Sequence, residues 1–254
     1  MACAVVGNNG DMDAQTVVAE LTELADPSRA EHSARFFKTG PGQYGEGDVF
    51  LGITVPNTRI VAKRFRDLPR ADVEELLTSE LHEVRLCGVV ILTEQFKKLK
   101  TTPSRIDAFD YYVGAVRSGY VNNWDLIDVS APTFGTLLVD QGRQTSSNAS
   151  GERMLRKLAV AESMWERRLA VLLTFAFIRA GEFDLTLMLA EMLLGDKQDL
   201  MHKAVGWMLR EVGKRDAHVL RAFLAEHIRA LPRTTLRYAI EKFDEPERKA
   251  WLAR

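Results

Sequence analysis

Trp124 and Asp128 are the residues of this chain whose types and spacing most readily suggest chemistry. They lie in the segment NNWDLID, and at four residues apart on a helix they share one face, with Asp125 turned about 100° away. An aromatic ring beside a carboxylate can stabilise a positive charge that develops on a bound molecule. The alternative is structural: the aspartate caps a neighbouring turn and the tryptophan belongs to the core.

The tryptophans recur at a nearly constant interval. Trp124 and Trp165 are 41 residues apart, and Trp165 and Trp207 are 42 apart. Intervals of about 40 to 47 residues are typical of HEAT and armadillo units, whose helix pairs stack into a solenoid with a concave surface. The spacing therefore predicts a repeat protein suited to a long ligand.

A second residue type keeps the same interval. Arg85 and Arg168 are separated by 83 residues, and Arg168 and Arg210 by 42. Stacked repeats would bring the faces that carry Arg168, Trp207 and Arg210 into line with Trp124. The alternative is an arginine ladder that only ties consecutive repeats together.

Other site chemistries find little support. The five histidines lack carboxylate or cysteine partners at metal-ligand spacing. They are His32, His82, His202, His218 and His227. The segment GPGQYGEG lacks the preceding strand and the Lys-Ser/Thr ending of a phosphate-binding loop, and no serine nucleophile elbow is present. We expect neither a metal nor a cofactor.

The overall charge carries no footprint of a nucleic-acid binder. The 254 residues include 34 Lys and Arg against 35 Asp and Glu, a net charge of −1, whereas nucleic-acid-binding domains are typically basic. The distribution is uneven, because residues 1–26 contain no Lys or Arg while 59–70 and 97–105 contain clusters of them. The clusters are candidate contacts for a polyanion, or else solvated helix faces.

Composition bounds the class of protein. A hydrophobic share of 46% indicates a globular chain with a sizeable core. No window approaches the ~20 apolar residues of a membrane-spanning helix, so we expect no membrane partner. Cys3 and Cys87 do not support a disulfide framework, which favours a cytoplasmic compartment. We expect a flexible tail over 1–13 and a single repeat domain over 14–254, as a monomer.

Apolar residues recur at helical spacing after residue 14, and alternating β-branched runs are scarce. This pattern predicts an all-α fold, a HEAT-like α-solenoid with a concave groove. The predicted helices are 14–25, 28–38, 56–66, 70–85, 87–99, 103–119, 122–137, 151–161, 163–180, 182–194, 198–214, 216–229 and 231–242. Two polar segments, 39–48 and 141–151, are predicted as loops.

Five segments carry a resemblance to a known family. They are ARFFKTGPGQYGEGDVFLGITVPNTR, NNWDLIDVSAP, MWERRLAVLLTFAFIR, HKAVGWMLREVGKRD and PRTTLRYAIEKF. In this order they resemble the bacterial AlkD-type DNA alkylation repair proteins, and the similarity runs from about residue 28 to 243. The resemblance implies a HEAT-like solenoid that excises N3- and N7-alkylated purines from double-stranded DNA.

The resemblance also implies roles for particular residues. The family's catalytic aspartate falls on Asp128, its two groove-lining tryptophans fall on Trp124 and Trp207, and its phosphate-contacting arginine falls on Arg168. Further residues of the matching segments are expected to contact DNA: Arg210, Lys203, Phe36 and Lys38. Family members often carry a tyrosine just before the loop in the first of these segments. This chain has Phe36 and Phe37 there, which lack the hydroxyl.

These residue types suit the removal of a cationic base. A purine alkylated at N3 or N7 already carries a positive charge, so it departs without a general acid, and a carboxylate suffices to stabilise the sugar cation and orient a water. Aromatic faces beside that cation add on the order of 0.5 to 2 kcal/mol each. Two alternatives use the same fold: a non-catalytic protein that binds distorted or branched DNA, and a protein-binding scaffold.

Overall fold

The computed structural model describes residues 12–254 and confirms an all-α fold. Within that range no β-strand is formed, and Val49 and Leu81 make a single parallel bridge. Packing divides the chain into two compact units, Met1–Lys98 and Leu99–Arg254. The first helix begins at Ala14. Most of the expected tail, residues 1–11 with Cys3, lies outside the described residues, and the single repeat domain over 14–254 stays a prediction.

The first unit is built around one buried helix. Its helices are α1 (Ala14–Glu23), α2 (Pro27–Phe36), α3 (Val55–Arg64), α4 (Arg70–Leu77) and α5 (His82–Lys98). Residues 82–93 of α5 are all buried, and α1, α3 and α4 pack against them. Cys87 lies in this core, and burial raises the pKa of its thiol to about 12, which keeps the thiol protonated and unreactive at neutral pH.

The predicted loop 39–48 is non-helical. Residues at the start of α5 hold both this loop and the residues that follow it in place. The buried Glu83 carboxylate accepts hydrogen bonds from the backbone N–H groups of Leu51, Gly52 and Ile53, at 2.9, 2.8 and 3.1 Å. One helix turn therefore satisfies three backbone donors of an otherwise irregular segment.

The second unit has two layers of helices. Its helices are α6 (Thr102–Arg117), α7 (Trp124–Thr145), α8 (Ala149–Ala159), α9 (Met164–Leu173), α10 (Phe175–Ala180), α11 (Asp184–Met192), α12 (Asp199–Gly213), α13 (Ala217–His227), α14 (Arg233–Ala239) and α15 (Glu245–Leu252). One layer consists of α7, α9, α12 and α14, each packed on the next. In the other layer, α8 packs on α9, α13 packs on α12, and α11 packs on both α9 and α12. Trp124, Asp128, Arg168 and Trp207 all belong to the first layer.

Two residues of α7 shape the helix that carries Trp124 and Asp128. Gly135 lets α7 approach its neighbour closely, because a Cβ there would lie 2.2 Å from the carbonyl oxygen of Leu173. Pro132 stands inside α7 and has no N–H, so it cannot donate the usual helical hydrogen bond to the carbonyl of Asp128.

Several predicted helix bounds differ from the structure, including the expected helix 163–180, which is divided at Thr174 into α9 and α10. The expected helix 70–85 is interrupted after Leu77, because His82 N–H bonds the carbonyl of Val49 and draws the chain away from a continuous helix. The expected loop 141–151 shrinks to 146–148, where Ser146 adopts a φ of 51° and ends α7. The helix α15 was not predicted, although Asp244 caps it and Pro246 opens it.

None of the helices within residues 12–254 combines the length and apolar character needed to cross a membrane.

Candidate active site

A two-pronged ion pair joins Asp128 to Arg168. Arg168 Nε donates to Asp128 Oδ1 at 2.9 Å and Nη2 donates to Oδ2 at 2.7 Å. The third nitrogen, Nη1, donates to the carbonyl of Leu200 at 2.7 Å. A single guanidinium therefore connects α7, α9 and α12, and it fixes the plane of the Asp128 carboxylate, because paired parallel hydrogen bonds restrict both groups.

Trp124 and Asp128 lie in the first two turns of α7. The helix starts at Trp124 because the buried Asn123 side chain accepts the Trp124 N–H at 2.8 Å. Both residues are half-buried, and their spacing puts them on one helix face. Asp125, between them, is buried. The N-terminal end of a helix favours a carboxylate, because unpaired N–H groups give it a partial positive charge.

The environment of Asp128 acts on its ionisation in opposite directions. Burial raises the pKa of Asp128 above its ordinary value, and the nearby Asp125 adds to this effect. The Arg168 guanidinium lowers it and favours the carboxylate form. The net shift is upward, so Asp128 is a carboxylate that gives up its proton less readily than one in water.

Trp207 is the half-buried tryptophan of α12. Its Nε1 donates to Glu211 Oε1 at 3.3 Å, and its ring centroid lies 5.9 Å from that of Phe175 at the start of α10. Leu200 and Trp207 are seven residues apart on α12, which places them on one face about 10 Å apart along that helix. Phe175 follows Arg168 by seven residues but opens α10, after α9 has ended at Leu173.

The contact between Arg168 and Leu200 and the contact between Phe175 and Trp207 thus lie along the same seam. The structure brings Asp128 and Arg168 into direct contact and places Trp207 two turns further along that seam. Trp124 stands one turn before Asp128 on the opposing helix.

The remaining expected DNA contacts have other partners or another location. Arg210 forms an ion pair with Glu241, and Lys203 pairs with Asp199 at 2.7 Å. Phe36 and Lys38 belong to the first unit; both are exposed, Phe36 meets the edge of Phe37 and Lys38 has a φ of 54°. Their contacts with DNA stay predictions.

Arg168 itself ties neighbouring helices together, as in the alternative interpretation of the sequence, and the adjacent Arg167 forms a second tie. Arg167 Nη1 donates to the carbonyls six and five residues earlier, and Nε pairs with Asp196 at 2.7 Å. Arg85 does the same with the carbonyls six and five residues before it and with Asp48. Arg85 and Arg167 are therefore the structural equivalents, and the predicted register of Arg85 with Arg168 is wrong by one residue.

The sequence interpretation also missed Phe175 and its neighbour Arg179, whose guanidinium carbon lies 4.3 Å from the Phe175 ring centroid. The spacing of four residues between Phe175 and Arg179 could have indicated that these two share a helix face. Within residues 12–254, no group of three or more His, Cys, Asp and Glu side chains is arranged to hold a metal ion.

Comparison with known proteins places this geometry in context. The family model described as DNA alkylation repair enzyme matches residues 17–243. A solved structure described as a predicted DNA alkylation repair enzyme from Enterococcus faecalis is similar with a TM-score of 0.64 and 16% sequence identity, over 87% of this chain and 97% of that chain. At that identity the likeness shows the fold alone. No curated protein sequence matches.

Proposed function

The chain belongs to the family of DNA alkylation repair enzymes, and we propose that within it the protein is a monofunctional glycosylase that excises cationic N3- and N7-alkylated purines from double-stranded DNA. The observation that carries the proposal is the Asp128 carboxylate, half-buried and held in one plane by Arg168, with Trp124 one turn away on the same face.

The proposed reaction needs one anionic group at the sugar. The bond between C1′ and the purine nitrogen breaks, its electron pair moves to the base, and the alkylated base leaves neutral. The sugar becomes an oxocarbenium-like cation, which Asp128 stabilises electrostatically. A water then bonds to C1′ and releases a proton, which Asp128 accepts or passes to solvent. No group has to protonate the leaving base.

Arg168 acts in this scheme as a positioning residue. Its Nε, Nη1 and Nη2 atoms all donate to Asp128 or Leu200, and its side chain is 5% exposed. These bonds use three of the five guanidinium N–H groups, and the burial of the side chain leaves the other two little access to a phosphate, the role implied by the resemblance. Holding the carboxylate in one orientation lowers the reorganisation needed when the sugar becomes charged.

The tryptophans provide faces on either side of the sugar. Trp124 and Trp207 are half-buried and lie on α7 and α12, the two helices that Arg168 connects through α9. An indole face attracts a cation through its quadrupole, so both rings favour the charged sugar over the neutral one. A non-catalytic DNA-binding protein or a scaffold of the same fold would gain nothing from this combination.

Asp128→Asn tests the proposal, because it keeps the size of the side chain and removes its charge. Under single-turnover conditions with duplex DNA containing 7-methylguanine, release of free base should slow by about 10²–10³-fold while DNA affinity holds or improves. Affinity can improve because the lost carboxylate no longer repels phosphates.

Asp196→Asn is the matched control. Asp196 is a side chain only 4% exposed and pairs with Arg167, the neighbour of Arg168, so its loss disturbs a comparable ion pair without touching the site. Asp125 is less suitable as a control, because its charge contributes to the raised pKa of Asp128. Equal slowing by Asp128→Asn and Asp196→Asn, or none by Asp128→Asn, would show that Asp128 is structural.

A further inference from the structure

The seam described above ends in an exposed cation. Arg179 lies on α10, four residues after Phe175, so these two residues share a face of that helix. Along the chain, the arginine that holds Asp128 comes first, on α9, followed on α10 by the ring that contacts Trp207 and then by Arg179.

Arg179 is anchored by an aromatic ring and not by a carboxylate. Its guanidinium carbon lies 4.3 Å from the Phe175 ring centroid, and within residues 12–254 no Asp or Glu oxygen lies within ion-pair distance of it. Its neighbours Arg167, Arg168 and Arg210 all pair with carboxylates. Arg179 is also exposed to solvent, so its charge is available to an external anion.

A guanidinium on an aromatic face keeps its N–H edge free. The ring restricts the side chain, which lowers the entropy lost on binding, while the donors still point outward for a two-pronged contact with a phosphate. Exposure also means that little desolvation opposes binding. Arg168 differs, because its side chain is buried and three of its five N–H groups are already bonded within the protein.

The geometry points to Arg179 as a phosphate-binding residue for the DNA strand that crosses Trp207, where it contacts the non-bridging oxygens of a phosphodiester next to that ring. This inference rests on the proposed function for the identity of the ligand. The residue that contacts the DNA backbone is then Arg179, for which neither the family resemblance nor the sequence pattern indicated this role.

The test is Arg179→Gln in the full chain, with binding measured on duplex DNA that carries a 7-methylguanine. Loss of one phosphate contact should reduce the slope of log K against log salt by about 0.9, so the advantage of the unsubstituted protein shrinks about 3.5-fold between 50 and 200 mM salt. The single-turnover rate at saturating DNA should stay unchanged, because Arg179 does not contact the reacting atoms.

Arg153→Gln is the matched control. Arg153 is an exposed arginine of α8 in the other layer, so it removes the same charge away from the seam. The inference predicts a smaller slope for Arg179→Gln alone, and Arg179→Lys should restore the slope but only part of the affinity. Identical slopes for both glutamine variants, or a Arg179→Gln defect confined to the saturated rate, would overturn it. If the protein binds DNA through Arg179 but releases no 7-methylguanine, the proposed function fails and this inference stands.

Discussion

Two adjacent arginines of α9 illustrate how different roles arise from neighbouring residues. Arg167 pairs with Asp196 and also donates to backbone carbonyls just before the start of α9. Arg168 instead bonds residues of α7 and α12. Successive residues of a helix point about 100° apart, so adjacent side chains reach different partners. Both residues are arginines and lie at nearly the same interval from Arg85. Only their partners in the structure show that Arg168, and not Arg167, orients the proposed site.

The upward shift in the pKa of Asp128 predicts an acid limit for excision. Burial is its largest cause, and Arg168 opposes it. Because the reaction needs the carboxylate, the saturated single-turnover rate should be full above the raised pKa and fall as the pH drops through it, at a higher pH than an ordinary aspartate with a pKa of 3.8 would show. The rate is measured from about pH 4 to 8, with spontaneous base loss subtracted.

A rate that does not decline towards acid pH would contradict this assignment, as would the same acid limb in Asp128→Asn.

The upward shift in the pKa of Asp128 also acts on stability. The folded pKa lies above the unfolded one, so the folded state binds the proton more tightly, and the free energy of unfolding decreases as the pH rises through the interval between the two values.

At the scale of the element, α7 depends on close contact with its neighbour at Gly135. In Gly135→Ala the new Cβ would meet the backbone oxygen of Leu173 at 2.2 Å, and the helices must move apart at a cost of about 1–3 kcal/mol in the free energy of unfolding. Urea unfolding monitored by circular dichroism measures the change.

Gly114→Ala is the control for this substitution. Gly114 lies inside α6, and a Cβ there would have no heavy atom within 4 Å. Alanine should therefore stabilise the protein by about 0.5–1 kcal/mol through its helix propensity. If both variants shift the unfolding midpoint in the same direction, the close approach at Gly135 does not limit packing.

Helix existence could be predicted from the sequence better than helix ends. Periodicity located α1 to α3 and α11 to α14 within a few residues, and all of these helices except α2 have buried residues. It failed between α4 and α5, where a contact with Val49 interrupts the helix. Such a contact joins residues that are distant in sequence, and no local pattern encodes it. The missed helix α15 had local signals, Asp244 and Pro246, that were available.

At the scale of the whole molecule, the net charge of −1 makes the placement of charge decisive. Lys203 and Arg210 already pair with carboxylates of the same chain, so they release fewer counterions from DNA than unpaired cations do. We expect a negative slope of log K against log salt that is nearly equal for duplexes of unrelated sequence, because phosphate contacts carry no sequence information. Titrations at several salt concentrations measure it, and a flat plot would favour the scaffold alternative.

The family and the all-α class could be predicted from the sequence, because helical spacing and ordered motifs extend over most of the chain. The composition of the site was less accessible. Spacing assigned Trp124 and Asp128 to one helix face, but it could not show that Arg168 donates hydrogen bonds to Asp128 and Leu200. A periodic pattern indicates which way a side chain points, whereas its partner depends on the distance between helices.

Pro132 has a consequence for motion. It removes the hydrogen bond that would join its turn to the carbonyl of Asp128, so the first two turns of α7 are attached to the buried remainder by an incomplete ladder. Bending of a helix concentrates where its ladder is interrupted. The end of α7 that carries Trp124 and Asp128 therefore depends less on the hydrogen bonds of its own helix and more on side-chain contacts, which include those of the buried Leu126 and Ile127 and the pair of Asp128 with Arg168.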